Sequence, residues 1–468
     1  MMLERETGIH TLVGEYYEAR ILMGDQDLGD HLPSLAKLCA IFHLAPATVR
    51  TGLELLERKG YIQIEARKAP RVVYAPERSA KRELAARYFA ARRRDIADLV
   101  QAGQILFEPL WQQGMAQLSA QDWQALRQAL AQPSEEMLSL PVQFYIQVLG
   151  TYDNELLLNL YGETIRYIRF PYLEEPTSQA FRQLAQADDA PEVIAAKLQL
   201  AFAECFGQAL EKLWAFLEQV WTEYDLDAEP EVPFHWNVYR PRPQLCYSLV
   251  AQIISHIGSG AYACGTFLPA QPEMAREWGV SVSTVRRALK ILGELGLVQS
   301  YQGKGTVVLA QVTAIDFGSA EVREGLRYYR ESIALLRLTF ARSAQAALAH
   351  ADEAAKASFV QAFFDWIAQG KSYAAFDGVL AFVETHCPYR LLKECYRRLR
   401  ELLTWGYAFT CYRLKGRDLH DTYFAVIEQA AERLAAQDEK GFIDAWLSVL
   451  DYEAQKLQEL LTEEAVTV

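Results

Sequence analysis

Apolar residues recur at spacings of three and four along most of this chain. AAKLQLAFAECFGQALEKLWAFLEQVW is typical and predicts long amphipathic helices. Strand-like runs are short. Leu297-Val298-Gln299-Ser300-Tyr301 and Thr306-Val307-Val308-Leu309 flank Gln302-Gly303-Lys304-Gly305, which predicts a β-hairpin. Three helices are expected ahead of it. Leu249, Ile253, Ile254 and Ile257 give the first one apolar stripe, ended by Gly258 and Gly260. Pro272 to Trp278 forms a short second helix, and Gly279 makes the turn. Ser281 then caps a third helix, on which Val285, Ala288, Leu289 and Leu292 share one face.

The same run occurs earlier in weaker form, as LGDHLPSLAKLCAIFHLAPATVRTGLELLERKGYIQIEARKAPRVVY from Leu28. Leu32-Pro33 matches Leu268-Pro269, and Thr48-Val49-Arg50 matches Thr284-Val285-Arg286, both at an offset of 236 residues. One constant offset predicts an internal duplication. Helical patterns follow each copy. Pro230, Pro233, Pro241 and Pro243 mark a connection unsuited to helix and a domain boundary. The expected fold is mainly α, with two winged helix-turn-helix domains alternating with two all-helical domains. The boundaries are 1–76 for a degenerate winged helix, 77–240 for helices and the Pro-rich linker, 241–312 for the second winged helix, and 313–468 for the remaining helices.

Half the chain is apolar (51%), enough for a sizeable core. The chain carries no signal-peptide pattern and no apolar run of about 18 residues, so a cytoplasmic protein is expected. Seven cysteines without CxxC spacing suggest reduced, mostly buried thiols rather than a zinc site. The net charge of −13 argues against a general polyanion binder but leaves room for a local basic footprint. Residues 244–310 carry a net +2, whereas residues 9–76 are neutral overall. A basic run follows the first copy, from Arg78 through Arg92-Arg93-Arg94. It reads as a solvated helix face, or as a supply of the missing charge.

The third helix has the chemistry of a DNA reader. Arg286, Arg287 and Lys290 fall away from its apolar face, which suits insertion into a major groove. Ser281, Ser283 and Thr284 at its start can hold a phosphate with the free N–H groups there. Lys304 and Gly305 form a basic, side-chain-poor wing tip. In the first copy Thr48, Arg50, Lys68 and Arg71 hold comparable places. The passage resembles the winged helix-turn-helix of the GntR family of bacterial transcription regulators, through Leu268, Pro269, Val280, Ser281, Thr284, Val285, Arg286, Gly296, Leu297, Gly303 and Gly305. The resemblance implies a regulator that binds double-stranded DNA, often as a repressor. Two family arginines are replaced here, by Pro272 and Val282, and in the first copy by Ala36 and Pro46.

The helical regions resemble the effector domain of the FadR branch of that family, with Asn154 at the branch's asparagine and His420 with Asp438 in its late His…Asp pattern. Relatives hold a metal there through one aspartate and three histidines. Here only His420 and Asp377 stand as candidates in the second region, too few for a site, so neither metal nor cofactor is expected. Tyr161, Arg166 and Arg169 in one region, and Trp405, Tyr412 and Arg413 in the other, could line a pocket for an anionic effector. The alternative is plain core. The overall expectation is a regulator with tandem winged helices, acting as a homodimer or as an intrachain pseudo-dimer. A non-DNA-binding interaction scaffold is the first rival. An enzyme is the second, and it lacks support: no glycine-rich phosphate loop, triad order or metal motif is present.

Overall fold

The computed structural model describes most of residues 13–466. It leaves out 125–144, 169–182, 184–190, 239–243 and shorter stretches within 15–25 and at 43–45, 66–67, 75–77 and 146–147. Pro241 and Pro243 therefore lie outside the described residues. In the first cassette, helical positions between 13 and 21 precede α1 (Leu35–Phe42), α2 (Pro46–Arg58), β1 (Ile62–Gln63) and β2 (Arg71–Val72). Then come α3 (Arg78–Ala90), α4 (Arg93–Gln117), α5 (Glu155–Ile168) and α6 (Pro191–Val220). The second cassette contains α7 (Gln244–Ser259), α8 (Gln271–Glu277), α9 (Val282–Glu294), β3 (Val298–Tyr301) and β4 (Gly305–Val308). The last region holds α10 (Ala320–His350), α11 (Glu353–Ala368), α12 (Ala375–His386), α13 (Arg390–Leu403), α14 (Gly406–Leu414), α15 (Leu419–Ala435) and α16 (Glu439–Glu463). Side-chain caps set several boundaries. Asp352 accepts the Ala355 N–H at 2.7 Å to start α11, and Asp438 accepts the Gly441 N–H at 2.9 Å to start α16.

The two cassettes share much of their bonding pattern. In each hairpin the antiparallel register pairs residues at the same offset: Ile62 with Val72, and Val298 with Val308. Leu32 N–H donates to Pro70 O and Leu268 N–H to Thr306 O, both at 2.8 Å. The cores also correspond. Val13, Tyr17, Ile21, Leu38, Val49, Leu53 and Leu56 are buried in the first cassette, as are Leu249, Ile253, Ile257, Met274, Val285, Leu289 and Leu292 in the second. They differ in attachment. The first cassette keeps a small apolar cluster of its own. The second shares one continuous core with α4, α5 and the last helical region. Tyr247 of α7 lies against Trp405, ring centroids 5.6 Å apart, and Glu294 at the end of α9 accepts the Ser319 hydroxyl at 2.7 Å.

The Pro-rich connection is not a loose boundary. Residues 229–237 carry no helix or strand, and Phe234, Trp236 and Val238 are buried. Phe234 N–H donates to Asp95 at 2.7 Å, and Trp236 N–H to Glu394 at 2.9 Å. The Trp236 indole donates to Asn159 at 2.7 Å. A strap therefore lies between α5 and α13, its buried N–H groups at Phe234 and Trp236 satisfied by carboxylates and that of Val232 by the Ala91 carbonyl.

Along the seam between the helical regions the contacts are reciprocal. Asp95 and Asp98 of α4 meet the start of α13. Asp95 pairs with Arg390 at 2.8 Å, and Asp98 accepts the Leu391 N–H at 3.2 Å. Glu331 of α10 meets the start of α5, accepting the Leu156 N–H at 2.9 Å, while its carbonyl takes the Asn154 amide at 3.0 Å. Helix α4 of one region and α10 of the other thus each cap a helix of the opposite region, as across a two-fold interface. Burial raises the pKa of both Asp98 and Glu331. Among the thiols, Cys246, Cys387 and Cys395 are buried and unbridged, whereas Cys264 is exposed. Burial pushes Cys246 and Cys387 up to about 11.

Candidate nucleic-acid interface

Helix α9 begins where Ser281 holds an extended backbone and its Oγ accepts the Thr284 N–H at 3.1 Å. That same oxygen lies 2.7 Å from Ser283 Oγ and 2.8 Å from Thr284 Oγ1. The three hydroxyls form one cluster at the helix start. Replacing Ser281 by alanine costs about 1 kcal/mol of stability, to be read as a shift in the urea midpoint. An unchanged midpoint would show that the cap contributes nothing.

The basic residues divide into two groups. Arg286 is exposed and makes no ion pair or hydrogen bond among the described residues. Arg287 is half-buried and points back to Glu321 of α10 at 3.4 Å, and Lys290 pairs with Glu294 at 3.0 Å. Three cations were expected on the outer face, and two of them are matched by carboxylates at the junction with the helical region. At the wing, β3 and β4 remain paired out to Tyr301 and Gly305, so only Gln302, Gly303 and Lys304 make the turn. Gly303 and Gly305 both adopt positive φ, +73° and +112°. A Cβ on Gly305 would also press on the Phe267 ring at 3.3 Å. Lys304 stands exposed at the tip.

In the first cassette Pro46, Ala47 and Arg50 are exposed along α2, and Thr48 lies on the same helix. Its hairpin has only two pairs, and the loop from Ile64 to Pro70 replaces the glycine turn. Lys68 in that loop pairs with Glu65 at 2.6 Å, which lowers the Glu65 pKa, while Arg71 lies exposed on β2. Several arginines of the basic run after this cassette make protein contacts. Arg87 bridges Glu83 and Glu229, Arg92 lies 3.7 Å over the Tyr88 ring, and Arg94 pairs with Glu231 at 2.7 Å.

The aromatic and arginine residues considered for a pocket do not converge. Tyr161 packs edge-on against Phe107, and Arg166 pairs with Glu163 at 2.9 Å. Arg169 lies outside the described residues. Trp405 is fully buried between Tyr247 and Tyr328, and Tyr412 donates to Glu464 at 2.8 Å. Arg413 binds Glu453, which also accepts from Tyr329 and Tyr423. The cavity beside them measures about 10 Å³, room for one water at most. Asp377 is held by Arg400 at 2.8 Å, and His420 Nδ1 by the Ser372 hydroxyl at 2.7 Å. Among the described residues no group of three or more His, Cys, Asp or Glu side chains could hold a metal ion. Nor is any of their helices long and apolar enough to cross a membrane. A cleft that sequence reasoning missed lies at the seam. It measures about 390 Å³ and is lined by Arg93, Arg94, Trp221, Glu231 and Arg390 among others. Its members lie far apart in sequence, so no local pattern signals it.

The model of the bacterial regulatory proteins of the gntR family matches residues 12–72 and 247–308. Both cassettes match that family's model. Curated relatives match over a cassette's length alone. The transcriptional regulator TreR of Bacillus subtilis is 36% identical over 62 residues, 13% of this chain and 26% of that protein. A probable fructoselysine utilization operon transcriptional repressor of Escherichia coli is 36% identical over 69 residues, 14% of this chain and 28% of its own. The chain thus spans little more than a quarter of these relatives. Their names are those of regulators rather than enzymes. Among solved structures, E. coli McbR/YncC is 16% identical, with a TM-score of 0.27, over 46% of this chain and 97% of that one. Streptococcus agalactiae GntR is also 16% identical, with a TM-score of 0.21, over 45% of this chain and 99% of that one. Superpositions this poor carry no argument about domain arrangement.

Proposed function

We propose that this chain is a transcription regulator in which one polypeptide supplies two unlike GntR recognition helices to one DNA site. The observation that carries the reading is the exposed, unpartnered arginine at the same point of both helices, Arg286 on α9 and Arg50 on α2. Ser281, Ser283, Thr284, Lys304 and Gly305 would hold backbone phosphates, with Thr48, Lys68 and Arg71 serving the first cassette. The common hairpin register supports an origin by duplication, and the reciprocal seam supports an intrachain pseudo-dimer. The helical regions are read as FadR-type, and the seam cleft is the volume in which a small effector would fit.

The test is selection of genomic fragments by the purified chain, with Arg286→Ala and Arg50→Ala in parallel. A shared motif that is lost in either variant is the expected result. Native mass spectrometry of the complex should then show one chain per duplex, and two chains would overturn the pseudo-dimer. The rival reading, a protein-interaction scaffold, is favoured by the diversion of Arg287 and Lys290 to Glu321 and Glu294. Absence of enrichment at moderate salt would decide for it.

A further inference from the structure

Once Arg287 and Lys290 are drawn back to carboxylates, the exposed start of α9 is an unusual surface for a DNA reader. Its hydroxyls are engaged with one another around Ser281. Its first helical residue, Val282, is 37% exposed and ranks among the exposed large apolar side chains of the chain. Arg286 stands four residues on, hence on the same face. The equivalent face of α2 repeats the pattern. Pro46 is exposed at its first position, and Arg50 is exposed four residues on. Both helices therefore present an apolar group one turn ahead of a free guanidinium, although the residues differ.

The exposed parts of Val282 and Pro46 are apolar surface that a partner could cover. In a major groove the apolar partner is the C5 methyl of thymine, and the partner of a free guanidinium is the O6/N7 edge of guanine. Four helical residues rise about 6 Å, close to two base steps of about 3.4 Å. One helix can therefore make both contacts on neighbouring pairs.

Resting on the DNA-binding reading above, we propose that Val282 and Pro46 are specificity-determining residues. Each reads a thymine methyl within about two base pairs of the guanine read by Arg286 or Arg50. Both half-sites would then share a thymine–guanine core, despite their unlike recognition helices.

The test starts from duplexes selected out of random sequence by the full chain. Thymine is then replaced by uracil, one position at a time, which removes only the methyl. At one thymine in each half-site the affinity should fall about fourfold, as expected for burial of one methyl. In Val282→Ala the uracil effect should vanish in the α9 half-site and persist in the other. Val282→Thr, which keeps the branch, should retain it. An enriched motif indifferent to uracil at every position overturns this proposal and leaves the DNA-binding reading standing. So does a uracil effect that survives Val282→Ala unchanged. Failure of the wild-type chain to enrich any motif overturns both.

Discussion

Arg286→Ala should lower affinity for the selected duplex by about 1–3 kcal/mol, roughly 5- to 150-fold. The expectation rests on its isolation. The guanidinium is exposed on α9 and has no carboxylate to leave behind, so truncation removes a DNA contact without unmaking a protein one. Arg287→Ala should do less, because Glu321 already neutralises that charge, and Lys290→Ala likewise because of Glu294. Titrations at several salt concentrations separate two roles. Loss of a base contact relaxes specificity at one position. Loss of a phosphate contact weakens all sequences alike and flattens the salt slope by about one. Equal affinity of wild type and Arg286→Ala would remove Arg286 from the interface altogether.

Trp405→Ala should cost about 3–5 kcal/mol of stability. The indole has no solvent exposure and fills the space between Tyr247 of the second cassette and Tyr328 of α10. Gly325 lies directly beneath it, so close that any Cβ there would collide with the ring. The hole left by truncation is bounded by rigid helices and closes poorly. A loss of this size corresponds to a fall of about 10 °C in the melting temperature of the unit. Trp405→Phe should lose far less, because the indole N–H makes no hydrogen bond and its removal unpairs nothing. Calorimetry of the two variants checks the pair. Equal melting of Trp405→Ala and wild type would mean that this aromatic contact does not join cassette to helices.

The cassettes were legible because their signals are local. Ser281 as cap and the glycine-bounded wing tip each act within a few residues, and the structure places them where the pattern predicts. The short second helix was read as Pro272 to Trp278 and runs Gln271–Glu277. What escaped depends on residues far apart. Arg287 faces Glu321, 34 residues on, so no helical wheel reveals that its charge is matched. The prolines around 230 were read as a boundary. Yet Phe234, Trp236 and Val238 alternate with more polar neighbours, a period that the proline content obscures. Trp405, Tyr412 and Arg413 looked like a pocket because aromatics and arginine are near in sequence. On the helices each found a separate partner.

The reciprocal seam bears on copy number and divergence. Two separate chains meet at a rate set by their abundance, and a sparse regulator would spend much of its time alone. Joined in one chain, α4 and α10 face each other at an effective concentration on the order of millimolar, whatever the number of molecules in the cell. A substitution in one half is also not copied into the other. On the duplication proposed above, Asp95 and Glu331, or Pro46 and Val282, can differ without either half having to suit its own image.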